Sequence, residues 1–145
     1  MKYKYILLIA KLLFILIPCD LRAEEMICST QNINDGLSAS YKQCINQSNG
    51  ETINMLNCIV TETKSQDVSL NKIYQQLLKE LPQKRIMLLK QSQRMWLGFV
   101  KINCDFKINP NGGTSESLVA NGCYMDSIAA RVQELENVRK TIDLQ

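Results

Sequence analysis

"DVSLNKIYQQL", residues 67–77, decides the fold. Leu70, Ile73, Tyr74 and Leu77 recur three and four residues apart, the period of one side of a helix. Asp67 and Asn71 sit on that same face, so a carboxylate and an amide interrupt a stripe that would otherwise be apolar. The structural reading is that the two hydrogen-bond each other one turn apart, with Arg131 on a later helix as charge partner for Asp67. Such a group would fix helix register, because a shifted bundle would bury an unpaired carboxylate at several kcal/mol. A solvent-facing contact for a partner is the competing reading.

Outward from this stretch the helical period continues. Met55 and Ile59 precede it, and Leu78 and Leu81 follow it. No glycine or proline intervenes between Thr52 and Pro82, which predicts one long helix, weakest near "TKSQD" (63–67). Pro82 ends that helix and opens the next from a first-turn position. The second helix, about 22 residues long, carries Leu88, Met95, Phe99, Ile102 and Phe106 as its apolar stripe, with Leu89, Trp96 and Val100 alongside. "KINPNGGTSES" (107–117) is a break, with Pro110, Gly112 and Gly113 as turn formers and Thr114 or Ser115 as the cap ahead of Glu116. The last helix carries Leu118, Met125, Ile128, Val132, Leu135 and Ile142. Strand-like alternation is missing throughout, and the connections are short enough for antiparallel neighbours. The predicted fold is all-α, a small disulfide-braced bundle of three long antiparallel helices.

The chain has 145 residues, the size of one domain. Residues 1–23 read as a secretory signal peptide: Lys2 and Lys4, an apolar run from Tyr5 to Pro18 broken by Lys11, then "LRA". That run is too short for a stable membrane span. Acylation at Cys19 is the less favoured alternative, because Pro18 stands where a small residue suits lipoprotein processing. Residues 24–50 form a polar lead-in, ending in "NQSNG", with a short helix around "LSASYKQCI" (37–45); the helical domain proper spans 51–145. The expected location is periplasmic or secreted.

Of 17 basic and 14 acidic residues, four basic ones and one acidic one precede residue 24, leaving 13 of each. A neutral mature chain lacks the basic field that nucleic-acid binding uses. The absence of histidine removes the usual general base and the centre of serine and cysteine triads, so no catalytic residues and no enzyme are expected. No CxxC occurs either, so neither a metal site nor a cofactor is implied. In an exported chain, Cys28, Cys44, Cys58, Cys104 and Cys123 read as a disulfide framework with one thiol left over. A straight helical hairpin puts Cys58 about 36 Å before the Pro82 corner and Cys104 about 33 Å after it. Cys58–Cys104 is therefore the first pairing expected, contributing about 4 kcal/mol. Cys44–Cys123 would be the second, and Cys28 would be free or intermolecular. The rival pairing, Cys44–Cys58 with Cys104–Cys123, is left open by the sequence.

Trp96, the lone tryptophan, is expected in the core with Gln93 as a partner for its indole N–H. Lys84, Arg85, Lys90, Arg94, Lys101 and Lys107 face only Asp105 along the second helix, which reads first as a solvated back and second as a contact for anionic envelope material.

Taken end to end, "YKQC", "TINMLNC", "DVSLNKIYQQL", "QRMWLGFVKINC", "NGGT" and "CYMDSIAARVQEL" resemble the LprI family of exported helical domains, named for a lysozyme inhibitor. The resemblance runs from about Tyr41 to Leu135. Asp67, Leu70, Asn71, Tyr74, Leu77, Gln93, Trp96, Cys104, Gly112, Gly113, Cys123 and Arg131 carry it. Val100 and Lys101 stand where members usually show an Arg-Asp pair; Ile128 replaces a common threonine and Thr114 a common serine. The resemblance implies a binding protein whose partner is lysozyme or another cell-envelope protein. Asn111, Gly112, Gly113 and Thr114 are the expected contact loop, since exposed loops on rigid scaffolds commonly carry recognition. Lysozymes are typically basic, so the acidic residues Glu62, Asp67 and Glu80, or Glu116 and Asp126, would supply the complementary charge.

Overall fold

A computed structural model describes residues 36–142. The expected leader, Cys19, Cys28 and the start of the lead-in lie outside them. Four helices occur among the described residues rather than three: α1 (Ala39–Gln47), α2 (Thr52–Glu80), α3 (Gln83–Lys107) and α4 (Glu116–Ile142). The additional one, α1, forms where a short helix was expected. Its N-terminus is capped by Ser38, whose hydroxyl accepts from the Tyr41 N–H at 3.0 Å. It ends in a turn through Asn49 and Gly50, both at positive φ, where a side chain is disfavoured and an Asn-Gly pair fits.

α2 packs along α4, and their C-terminal ends meet at the Glu80–Arg139 pair, so the two run in parallel. α3 returns along α4 in the opposite sense. The main core is built from Leu70, Ile73, Leu77 and Leu81 of the α2 side, Leu89 of α3, and Val132 and Leu135 of α4. Val100, Cys104 and Cys123 form a smaller second cluster, and Trp96 packs against both.

The antiparallel hairpin expected around Pro82 does not form: α2 and α3 are consecutive yet do not pack along each other. Without that hairpin, Cys58 and Cys104 have no shared face. Among the described residues the disulfides are Cys44–Cys58 and Cys104–Cys123, with Cα separations of 5.8 and 5.6 Å, which corrects the Cys58–Cys104 and Cys44–Cys123 assignment. Each closes a loop of under 20 residues and, in the chain-entropy model, contributes about 3 kcal/mol.

α3 also turns a different side inward. Leu89, Gln93, Trp96, Val100 and Cys104 recur at helical spacing and face α4, whereas Leu88, Met95, Phe99, Ile102 and Phe106 are exposed. Cys104 is fully buried in its bridge to α4, and that bond fixes which stripe points inward. No helix among the described residues is long and apolar enough to cross a membrane.

Candidate binding surface

The break between α3 and α4 is a closed loop held at its base. Cys104 and Cys123 join the two helices beneath it. Within it the Asn109 side chain accepts from the Asn111 N–H at 3.0 Å, and the Asn109 carbonyl accepts from the Gly112 N–H at 2.9 Å. Glu116 folds back from the first turn of α4 to accept from the Asn109 N–H at 2.7 Å. Gly112 lies directly beneath that carboxylate, where a Cβ would collide with the Glu116 side chain. Asn111, Gly113 and Thr114 are exposed and Gly112 is half-buried. The loop thus presents a short polar edge whose backbone is fixed from both ends.

About four turns along α4 from the loop lies a buried cation. Arg131 is 6% exposed, and its guanidinium donates to Gln93 at 3.1 Å, to the Ser92 hydroxyl at 3.1 Å and to Glu134 at 2.7 Å, while stacking 5.7 Å above the Trp96 ring. Gln93, Trp96 and Arg131, three positions of the expected motif, therefore converge. Gln93 serves the arginine.

Asp67 and Asn71 do hydrogen-bond each other, at 3.2 Å, but both are exposed, and the bonds of Arg131 go to α3 and to Glu134. The register role expected of an Asp67–Arg131 pair is therefore not theirs. The buried carboxylate of α2 is Glu62, 3% exposed, and this overturns its expected place on an acidic surface. Glu62 accepts from the Ser38 N–H and hydroxyl and from the Gln66 amide, and Gln66 in turn donates to the Gly36 carbonyl. This group ties the segment before α1 to the middle of α2. Its signal was helical phase: Glu62 and Gln66 extend the stripe of Leu70, Ile73 and Leu77 backwards, whereas Asp67 and Asn71 fall on its outer edge with Tyr74 and Leu78.

Other acidic groups are engaged as well: Glu80 with Arg139 at 3.2 Å and Glu116 with the loop backbone. On α3 a hydrogen bond from Lys101 to Asp105, reinforced by their opposite charges, raises the lysine above its ordinary 10.5 and keeps it cationic. A cleft of about 370 Å³ between α2 and α4 is lined by Lys72, Gln76, Glu136, Arg139 and Lys140, with a single carboxylate among them. That set gives no pair of acids for hydrolytic chemistry.

Val100, in the place of the expected arginine, is 4% exposed and packs on Cys104 and Cys123, so an apolar side chain fills that site here. No curated protein and no solved structure matches the chain. The family model described as lysozyme inhibitor LprI matches residues 44–135, from the first bridged cysteine through the Arg131 group to the last core leucine. With well over half of its length matched, this chain belongs to the LprI family of lysozyme inhibitors.

Proposed function

We propose that the protein is an exported binding protein of the cell envelope that inhibits lysozyme by occlusion, the loop from Asn109 to Ser115 entering the sugar-binding cleft and excluding peptidoglycan. One observation carries this reading: the loop is exposed at its tip, yet stapled at its base by Cys104–Cys123 and closed by Glu116. A loop ordered before binding loses little entropy on docking, which is how a short segment reaches useful affinity. Membership of the family supports the target, and two disulfides support a periplasmic or secreted location. Residues 1–23 would be the cleaved leader and residues 51–145 the inhibitor domain. The protein would act by steric exclusion, with no catalytic step and no cofactor.

The experiment is inhibition of peptidoglycan lysis by several lysozymes, using the oxidised protein and a variant in which Asn111, Gly112, Gly113 and Thr114 are deleted. At least a tenfold loss of inhibition with unchanged helical content is expected; full inhibition by the deletion variant would reject the loop. If the oxidised parent itself inhibits none of them, a second reading takes over, an envelope interaction protein without lysozyme activity. The exposed apolar stripe of α3, Leu88, Met95, Phe99, Ile102 and Phe106, favours that reading.

A further inference from the structure

The two bridges differ in what covers them. Cys104 is 0% and Cys123 7% exposed; Val100, Trp96 and Tyr124 pack against the pair, and the Asn103 amide lies 4.0 Å from the Cys123 sulfur. Cys44 is only half-buried. It and Cys58 line a surface cleft of about 250 Å³ whose other walls are Gln47, Ser48, Asn54 and Asn57. Gln47, Asn54 and Asn57 are exposed, so a small thiol has a polar route from solvent to the first bridge. Exchange requires a thiolate to reach one sulfur of the bond, and at the second bridge apolar side chains stand in the way.

What the first bridge holds is α1. Its nine residues fall below the roughly 12–15 at which an isolated helix becomes even marginally stable. None of them is fully buried, so packing adds little to keep it in place. It is tied to α2 before its start, where Ser38 donates to Glu62 from its N–H and its hydroxyl, and past its middle by the bond from Cys44 to Cys58.

We propose that Cys44–Cys58 is a redox latch on α1, opened by a dithiol reductant while Cys104–Cys123 stays closed. One thiolate of the reductant attacks the Cys44 sulfur, forming a mixed disulfide and expelling Cys58 as a thiolate that takes a proton from water. The second thiolate of the reductant then displaces Cys44, which is protonated in turn. The bridge gains two electrons and two protons, and the dithiol departs as its own disulfide. The loop between α3 and α4 keeps its staple throughout, so the latch frees α1 and leaves the frame of that loop in place. The inference is independent of the lysozyme reading, and its test contains no lysozyme.

The test is graded reduction of the oxidised, exported protein with dithiothreitol, after any thiol already present has been capped. Newly formed thiols are alkylated and mapped by mass spectrometry, and hydrogen exchange is followed in the same samples. Cys44 and Cys58 are expected to be labelled at least about tenfold faster than Cys104 and Cys123. In the species reduced at the first bridge alone, amides of α1 should exchange at least about tenfold faster, while those of α3 and α4 keep their protection. Cys44→Ser combined with Cys58→Ser should show the same rapid exchange in α1 without any reductant. Equal or faster labelling of Cys104 and Cys123 overturns the proposal. So does unchanged exchange in α1 after selective reduction, or acceleration spread through α2, α3 and α4 alike, which would make the bridge a brace of the whole bundle.

Discussion

Leu89 and Leu88 are neighbours on one helix with opposite fates. The first joins the core with Trp96 and Val100; the second heads an exposed stripe of five residues that is at least as apolar. Hydrophobicity therefore does not decide which side of α3 is buried. Three specific bonds do: the Cys104–Cys123 bridge and the hydrogen bonds from Arg131 to Gln93 and Ser92, all made by the inward side. The buried polar group orients the helix, and the apolar stripe left outside becomes surface.

The largest effect should come from removing the covalent part of that orientation. Cys104→Ser with Cys123→Ser is expected to cost about 3 kcal/mol in chemical denaturation, and also to lower inhibition in the lysis assay by loosening the loop. An unchanged denaturation midpoint would mean that noncovalent packing alone fixes α3. Slightly smaller, and more direct, is the leucine pair. Leu89→Ala should destabilise by about 2–3 kcal/mol and Leu88→Ala by under about 0.5 kcal/mol, and equal losses would show that both stripes are packed in solution. The carboxylates of α2 extend the contrast. Glu62→Gln turns an amide donor toward groups that already donate and should cost about 2 kcal/mol, whereas Asp67→Asn should cost under about 0.5 kcal/mol. Smallest is Gly50→Ala, about 1 kcal/mol, because position 50 requires a left-handed backbone.

Helix existence was legible because its determinants are local. Pro82 marks the corner, the break around Gly112 and Gly113 separates α3 from α4, and the stripe from Leu70 to Leu77 fixes the buried side of α2. Partner choice was not legible. Spacing along a straight hairpin makes Cys58 and Cys104 look opposed, and the pairing is removed because α2 and α3 meet near the Pro82 corner without packing along their length. The side of α3 was ambiguous for a related reason, since it carries two apolar stripes more than about 100° apart and sequence contains no statement of where α4 lies. Glu62 was readable by phase and was missed because acidic residues are ordinarily assigned to the surface. The loop's position could be read from its glycines and proline, while its closure by Glu116 depends on the side chain folding back across the loop, which no local pattern encodes.

The two bridges occupy separate stretches of chain, 44–58 and 104–123, with none crossing from one to the other among the described residues. Their cysteines are consecutive within each stretch, so a chain threaded through a membrane from its N-terminus can complete the first ring before the second has emerged. The same arrangement leaves residues 59–103 without a covalent strap. A protease cut at the Pro82 corner would therefore divide the described molecule into two oxidised pieces held together only by the core, and non-reducing electrophoresis would resolve them. The nested pairing, Cys58–Cys104 within Cys44–Cys123, would have kept them as one band.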